Sequence, residues 1–528
     1  MKKQLFYTTL LMVLALGGCK KFANEEPLSD GKLEDFFKSV YEADAAMAGM
    51  YAGMQQCMIG ESQFNNRLTY WGDARADNME PSQYANNNHN EMFLNSLTPN
   101  NTYSDWGPLY TIIGRANLNI AKFPEINNYA RGSQIISDAT LKSYLMQCYT
   151  MRAVCYFYLL RIWGGVPIRT TPFLKLDDNP KAPRESKAKV KEQIISDLQT
   201  AYDLIATKGS TPIIWYLHEG AIAAIMADVY MWRSHDDEIM PEYDKAIEWM
   251  KILFKSKGAT GKVYNATGQT VTGSGGVATD LETTGNWKGI FTNPAGSIET
   301  IWSLHWNVDA NGCPCMAGVS SARNNTPIKT AFQIFNTWGK STTDTRGKQT
   351  IDQFKTDNWD RVIKWYGPNG FTNATTTYLT SAQAASFSGT DKTVYVPMYR
   401  LADMFLLYAE ALNKTGDRDN ARRYLNLVRM RATLPAYTTA ELTTETEMED
   451  AILNERRWEL FAEGKRWFDL VRTDRVIQIM DPILKARQLA NGGAEVGFGT
   501  DKRKYMWPLN RNVMNANPNL QQNKPYSD

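Results

Sequence analysis

The 528-residue sequence predicts a mainly α-helical protein in which tetratricopeptide-like helix pairs form a platform, carrying an irregular loop-rich insertion and a few short strands. Three observations predict this class. Apolar and small residues recur at helical spacing in successive paired stretches, with offsets that fit a repeat of about 34 residues. Between Gly258 and Pro397 that periodicity fades, Gly, Thr, Asn and Ser dominate, and Trp287, Trp302, Trp306, Trp338, Trp359 and Trp365 are scattered among them. Near the C-terminus, Asn454 to Arg472 wound as one helix gathers Leu460, Phe461, Gly464, Trp467, Phe468 and Val471 on a single face.

Bulk composition narrows the function. There are 15 Trp and 26 Tyr, and hydrophobic residues make up 43% of the chain. This is a globular composition rich in amphipathic rings. Lys and Arg number 58 against 56 Asp and Glu; without Lys2 and Lys3 of the leader the totals are 56 and 56. Balanced charge gives no electrostatic case for nucleic acid. The four His show no metal-ligand spacing, and Cys313-Pro-Cys315 lacks the two further ligands a metal would need. Cys148 and Cys155, seven residues apart on one predicted helix, are too distant for a disulfide.

At the N-terminus, Lys2 and Lys3 precede an apolar run, Leu5 to Leu16, too short to span a bilayer. Leu16-Gly17-Gly18-Cys19 resembles a bacterial lipoprotein box, so residues 1–18 read as a signal peptide and Cys19 as the lipidated first residue. Such an anchor holds a protein at a membrane surface without crossing it. Residues 19–32 read as a tether. Residues 33–528 read as one domain: an N-terminal helical part (33–257), the insertion (258–397) and a C-terminal part (398–528).

Residues 33 to 58 carry Phe36, Phe37, Val40, Ala43, Met47, Met50, Tyr51 and Met54 at helical spacing. In Thr69-Tyr70-Trp71-Gly72-Asp73-Ala74-Arg75, Asp73 and Arg75 read as a structural pair. Residues 81 to 105 are turn-forming and Asn-rich, the kind of polar loop on which binding residues sit, with Tyr84 and Asn88 as candidates. Three helix pairs follow: Tyr144–Trp163 with Val190–Ile205, Ala221–Trp232 with Tyr243–Phe254, and the Phe405–Leu412 stretch with Ala421–Val428 across Gly416-Asp417. Ala246 and Ala421 provide the small crossing points that close packing requires. Trp163-Gly164-Gly165-Val166-Pro167 stops the first of these helices. In the insertion, Ile298 to Leu304 alternates like a strand and should bury Trp302, whereas Trp287, Trp306, Trp359 and Trp365 lie among polar residues. Asp344 and Arg346 read as structural. In the 454–472 helix, Arg457 falls on the apolar face and needs a carboxylate, Glu455, Glu459 and Arg466 form the opposite ridge, and Gly464 lets another helix approach.

The Asn454–Arg472 segment, the Trp106…Leu109-Tyr110…Ala116-Asn117 pattern, the Trp163-Gly-Gly-Val-Pro167 stop and the closing Asn517-Pro-Asn-Leu-Gln-Gln-Asn523 together resemble the SusD/RagB family. These are surface nutrient-binding lipoproteins of Bacteroidetes. The resemblance spans Cys19 to Tyr526. It implies an outer-membrane protein, lipid-anchored and facing the exterior. Its partner would be a SusC-like TonB-dependent transporter, to which it passes a captured oligosaccharide or, in some branches, a peptide. It also implies that the insertion and the 81–105 loop build the binding face and that no cofactor is used.

The residues themselves favour binding over catalysis. The sequence holds no G-x-S-x-G, H-E-x-x-H, P-loop or Rossmann fingerprint. A sugar ring has apolar faces and a hydroxyl rim, and it suits aromatic side chains flanked by amides and charges. Tyr84, Asn88, Trp287, Trp306, Trp359 and Trp365 are therefore the candidate ligand contacts. A protein adaptor of tetratricopeptide type and a glycan hydrolase using a pair of carboxylates are the other readings.

Overall fold

The computed structural model describes residues 36–59, 66–174, 178–265, 280–307, 327–351, 362–365 and 393–527. Helix α1 (Val40–Met58) is followed by the short α2 (Arg67–Gly72), strand β1 (Met79–Pro81) and α3 (Asn87–Phe93). Then come α4 (Gly107–Lys122), α5 (Asp138–Trp163), α6 (Lys187–Asp203), α7 (Glu219–Met231) and α8 (Tyr243–Lys255). Strands β2 (Thr300–Trp306), β3 (Ile328–Thr330) and β4 (Val394–Arg400) lead into α9 (Leu401–Lys414), α10 (Arg418–Arg431), α11 (Glu445–Glu459), α12 (Arg466–Arg472) and α13 (Val476–Ala490).

The helices stack as successive antiparallel pairs. α1 packs on α4, α4 on α5, α5 on α6, α7 on α8, α8 on α9, and α9 on both α10 and α11. The three pairs expected from spacing are all present, and α1 with α4 adds a fourth. Local chemistry sets their ends. Ser137 accepts from the Thr140 N–H at the start of α5, and Gly164 stops that helix at φ +82°. Thr444 and Glu447 form a reciprocal capping box on α11. From Gly220 onward α7 is buried on every side, as its position between two neighbours demands. The aromatic stripe Tyr156, Phe157 and Tyr158 of α5 lies in the core.

The strands form two antiparallel ribbons, β1 with β3 and β2 with β4. Trp302 is buried on β2, as the alternation predicts. Residues 81–105 are not one loop: Asn86 and His89 make a capping box that nucleates α3.

The 454–472 stretch departs from the single-helix expectation. It breaks into α11 and α12, with Ala462 at φ +63° and Gly464 at φ +71° between them. The supposed solvent ridge is the core: Glu455, Glu459 and Arg466 are buried and Arg457 is half-buried. The reason is electrostatic. Glu459 receives Arg400 Nη1 at 2.6 Å and Arg346 Nη1 at 2.9 Å, and pairs with Arg431. Glu463 receives Arg400 Nε at 2.8 Å and Lys364 Nζ at 2.8 Å, and Glu299 receives Arg431 Nη1 at 2.5 Å. Asp344 and Arg346 pair at 2.7 Å, as expected. Burial alone would raise the pKa of Glu459; the charges of Arg431, Arg400 and Arg346 overcome it and hold the carboxyl well below the ordinary range.

Arg457 finds its carboxylate in Asp77, at 2.9 Å, and Arg466 binds the same group. Asp73 and Arg75 are structural but do not form the expected pair. Asp73 accepts the N–H groups of Gly464 (2.6 Å) and Arg466 (3.3 Å), whereas Arg75 donates to the Lys504 and Tyr505 carbonyls and lies 4.1 Å over the Trp467 ring. Two flexible peptide N–H groups that need a partner outcompete a neighbour two residues along. The close approach expected at Gly464 is made by α2: a Cβ on Gly72 would sit 2.0 Å from the Gly464 carbonyl oxygen.

The tail explains its own amides. Asn517 and Asn519 donate to the Ala182 and Lys181 carbonyls, Gln522 pairs both ways with the Leu509 backbone, and Asn523 donates to the Trp163 and Trp507 carbonyls. Side-chain amides replace the backbone partners that an irregular strand lacks.

Gly464→Ala should lower the unfolding free energy by about 2 kcal/mol or more, because the new methyl meets Leu68 at 2.8 Å in a left-handed backbone. Gly49→Ala, with nothing within 4 Å, should leave it unchanged or raise it; denaturant titration of both variants distinguishes them. Asp77 gives a pH signature. Burial opposes its ionisation, but Arg466 and Arg457 pull its pKa down to about 2. A carboxyl lowered from about 3.9 contributes about 2 kcal/mol that is present above pH 4 and is lost as pH falls towards 2. Asp77→Asn should flatten that part of the stability profile.

Candidate ligand-binding face

The structure separates the candidate residues sharply. Trp287 is 1% exposed, packs edge-on against Phe291 at 5.1 Å, and donates from Nε1 to Glu459 at 3.3 Å. Trp365, 4% exposed, meets the other side of Phe291 at 5.2 Å. Trp306, 5% exposed, ends β2 opposite Val394. All three are core residues in the conformation described, not displayed rings. Their polar sequence neighbours misled because these rings meet partners from other segments, as Trp287 meets Glu459. Trp359 and Cys19 lie outside the described residues.

Tyr84 does lie at the surface, 42% exposed, just past β1. Asn88 is half-buried and its amide is engaged. Its Oδ1 accepts the Thr102 N–H at 3.2 Å and its Nδ2 donates to Thr102 Oγ1 at 3.2 Å, fastening α3 to the following loop. Its amide is thus used within the protein rather than presented free.

Tyr84 belongs to a larger face organised by the β1–β3 ribbon. Met79 pairs with Thr330 and Pro81 with Ile328. At the Pro81 end the chain turns into the Tyr84 loop, with the Ser82 N–H bound to the Pro327 carbonyl. At the other end stand Phe332, 50% exposed, and the side chains that meet Asn78. Asn78 Oδ1 accepts from Arg457 Nε at 2.8 Å. The Arg457 guanidinium lies 4.6 Å over the half-buried Trp458 ring, which stacks on Trp338 at 5.0 Å and 21°. Burial lowers the pKa of Arg457 to about 10, so it stays charged at neutral pH. Trp338 is fixed from below by its Nε1–H bond to Asp344 Oδ2 at 2.9 Å. Lys329 and Glu80 pair across the ribbon at 3.1 Å. The two ends are about 10 Å apart, the length of three extended residues.

A second group of rings escaped the sequence reading. His305 and Tyr395 are cross-strand partners on β2 and β4, and Trp215 lies against both. Their centroids are 4.5, 5.0 and 5.5 Å apart and their planes within 31°, all half-buried. The signal available was the apolar run Ile213-Ile214-Trp215-Tyr216 in a short connection, out of place for a solvated turn.

Such rings, rimmed by Arg, Lys, Glu and Asn, offer stacking and hydrogen bonding. Among the described residues no group of His, Cys, Asp and Glu could hold a metal ion, and no helix is long and apolar enough to cross a membrane.

A stack of helix pairs with a ring-bearing ribbon at its surface defines a scaffold for binding. The chain belongs to the SusD family: the family's model matches residues 322–526, and a second model, described as starch-binding associating with outer membrane, matches residues 24–231. SusD-like protein P38 of Formosa agariphila is 27% identical, covering 98% of each chain. A SusD-like protein of Bacteroides ovatus is 23% identical, covering 89% of this chain and 82% of the relative. Among solved structures, a SusD superfamily protein from Bacteroides fragilis superposes with a TM-score of 0.67 at 21% identity, covering 93% of this chain and 100% of the other. A laminarin binding SusD-like protein gives 0.66 at 18%, with the same coverage. The mainly α architecture is thus that of the family.

Replacing Trp287 by Ala should cost about 3–5 kcal/mol of stability through the cavity it leaves. The folded fraction should bind ligand as the parent does; thermal unfolding alongside binding measurements checks both halves.

Proposed function

We propose that this chain is a non-catalytic glycan-capture protein of the outer membrane, tethered by a lipid on Cys19 and facing the exterior. It hands oligosaccharides to a SusC-like TonB-dependent barrel. The observation that carries the reading is the ribbon face with an exposed ring beyond each end, Tyr84 at one and Phe332, near the half-buried Trp458, at the other. A sugar chain lying along the ribbon meets a ring at each end and charged groups between. The starch-binding description of the matched model and the laminarin-binding neighbour support a glycan. Membership in a non-enzymatic family supports binding without bond cleavage, and the leader sequence supports the lipid anchor. Of the six candidate contacts, Tyr84 is kept as a direct one; Trp458 and Phe332 join it. Trp359 stays a candidate from its sequence setting.

Affinity electrophoresis against a polysaccharide panel that includes starch and laminarin tests this. At least one glycan should retard the protein. Tyr84→Ala and Trp458→Ala should each weaken that retardation by about fivefold, the worth of about 1 kcal/mol of stacking. A protein that migrates unretarded with every glycan and binds a peptide pool instead is a peptide-capture member. Release of reducing ends from the bound polysaccharide would show an enzyme.

A further inference from the structure

Apart from the ribbon face, the C-terminal tail, the loop after α5 and the turn between α7 and α8 line an open cleft of about 510 Å³. That volume is within the range of small-molecule sites. Its walls are polar and three of its groups lack a complement.

Arg184 enters the wall with its guanidinium bound only to carbonyl oxygens: Gly165 at 2.6 Å, Gln521 at 2.8 Å and Trp163 at 2.8 Å. Three N–H groups are used of the five a guanidinium carries, and no carboxylate meets it. Burial lowers its pKa to about 10, which leaves it cationic at neutral pH. Lys524, on the exposed tail at the rim, has no ion-pair or hydrogen-bond partner among the described residues. The nearby acids are already engaged: Lys187 holds Asp236 at 2.5 Å and Glu238 at 2.8 Å, and Glu185 is held by Lys189 at 2.8 Å. Arg503 is matched by Asp501 at 2.9 Å. Asp236 and Glu238 share the single charge of Lys187, so the four lining cations, Arg184, Lys187, Arg503 and Lys524, exceed the three lining acids by one. His235 completes the wall. Its side chain is 9% exposed, and its Nδ1 is buried without a hydrogen-bond partner. Its Nε2 lies 4.0 Å from Asp236 Oδ2, too far for a hydrogen bond, and is the ring nitrogen left for a bound hydroxyl.

We propose that this cleft is a second ligand site, which takes a small hydroxylated molecule bearing one carboxylate, such as a uronic acid. Arg184 and Lys524 meet the carboxylate, and His235 hydrogen-bonds a ring hydroxyl. The fork of a guanidinium suits a carboxylate. The site stands independently of what binds at the ribbon face.

The test is calorimetric titration of the full-length mature protein with D-glucuronic acid, D-glucose and acetate. Glucuronic acid should bind saturably in the millimolar range, with glucose and acetate each at least fivefold weaker. Lys524→Ala and His235→Leu should each reduce glucuronate affinity at least fivefold, while Tyr129→Ala, at an exposed residue outside both the cleft wall and the ribbon face, leaves it unchanged. Lys524 is exposed and unpartnered, so its removal leaves the fold intact even if the His235 variant misfolds. Absence of saturable glucuronate binding overturns the proposal. So does equal binding of glucose, or undiminished affinity in Lys524→Ala.

Discussion

The carboxylate of Glu459 is the point on which the rest of the molecule depends. Arg346, Arg400 and Arg431 converge on it from a helical turn of the insertion, the end of β4 and the end of α10. Each of these cations holds a second acid as well, Asp344, Glu463 or Glu299. A set of charges removed from water is tolerable only when every member is matched. Removing one leaves the others unmatched, so the arrangement stabilises little in itself but penalises almost any other assembly. That is how an irregular insertion with few strands acquires one fixed seat on a helical frame. Trp287, bonded to the same carboxylate, is drawn inward as part of this seat.

Two smaller charge clusters extend the principle. Arg456 joins Asp403 and Asp469, and Arg472 joins Asp469 and Glu410, so α9, α11 and α12 are tied by ions inside an otherwise apolar stack. Asp77, shared by Arg457 and Arg466, ties the chain leading into β1 to the turn before α12. The ring-bearing ribbon is therefore tied to the helical frame, with Trp458 in contact with both Arg457 and Trp338. A stacking surface is useful for recognition when its rings are held before the ligand arrives.

The helical frame was legible in the sequence because local periodicity and small crossing residues report packing directly; Ala246 and Ala421 are both fully buried. The family was legible from motifs in order. The break after Glu459 was not. Leu460, Phe461 and Trp467 fit a continuous helical stripe, and only contact with α2 at Gly72 requires the left-handed Gly464. Of the candidate contacts, the exposure of Tyr84 was legible, because the polarity of its turn reflects it. For Trp287, Trp306 and Trp365 the same polarity was deceptive, since their burial comes from partners outside their local windows: Glu459 for Trp287, the β4 strand for Trp306 and Phe291 for Trp365. Trp215, His305 and Tyr395 come from three separate segments, and no window of sequence contains them together.

The peptide N–H groups of Gly464 and Arg466 close onto Asp73 across nearly four hundred residues, and the tail amides reach back to the carbonyl of Trp163. The earliest helices consequently lack their final neighbours until almost the last codon has been read. A polypeptide built this way stays threadable for most of its synthesis and sets only when its end arrives.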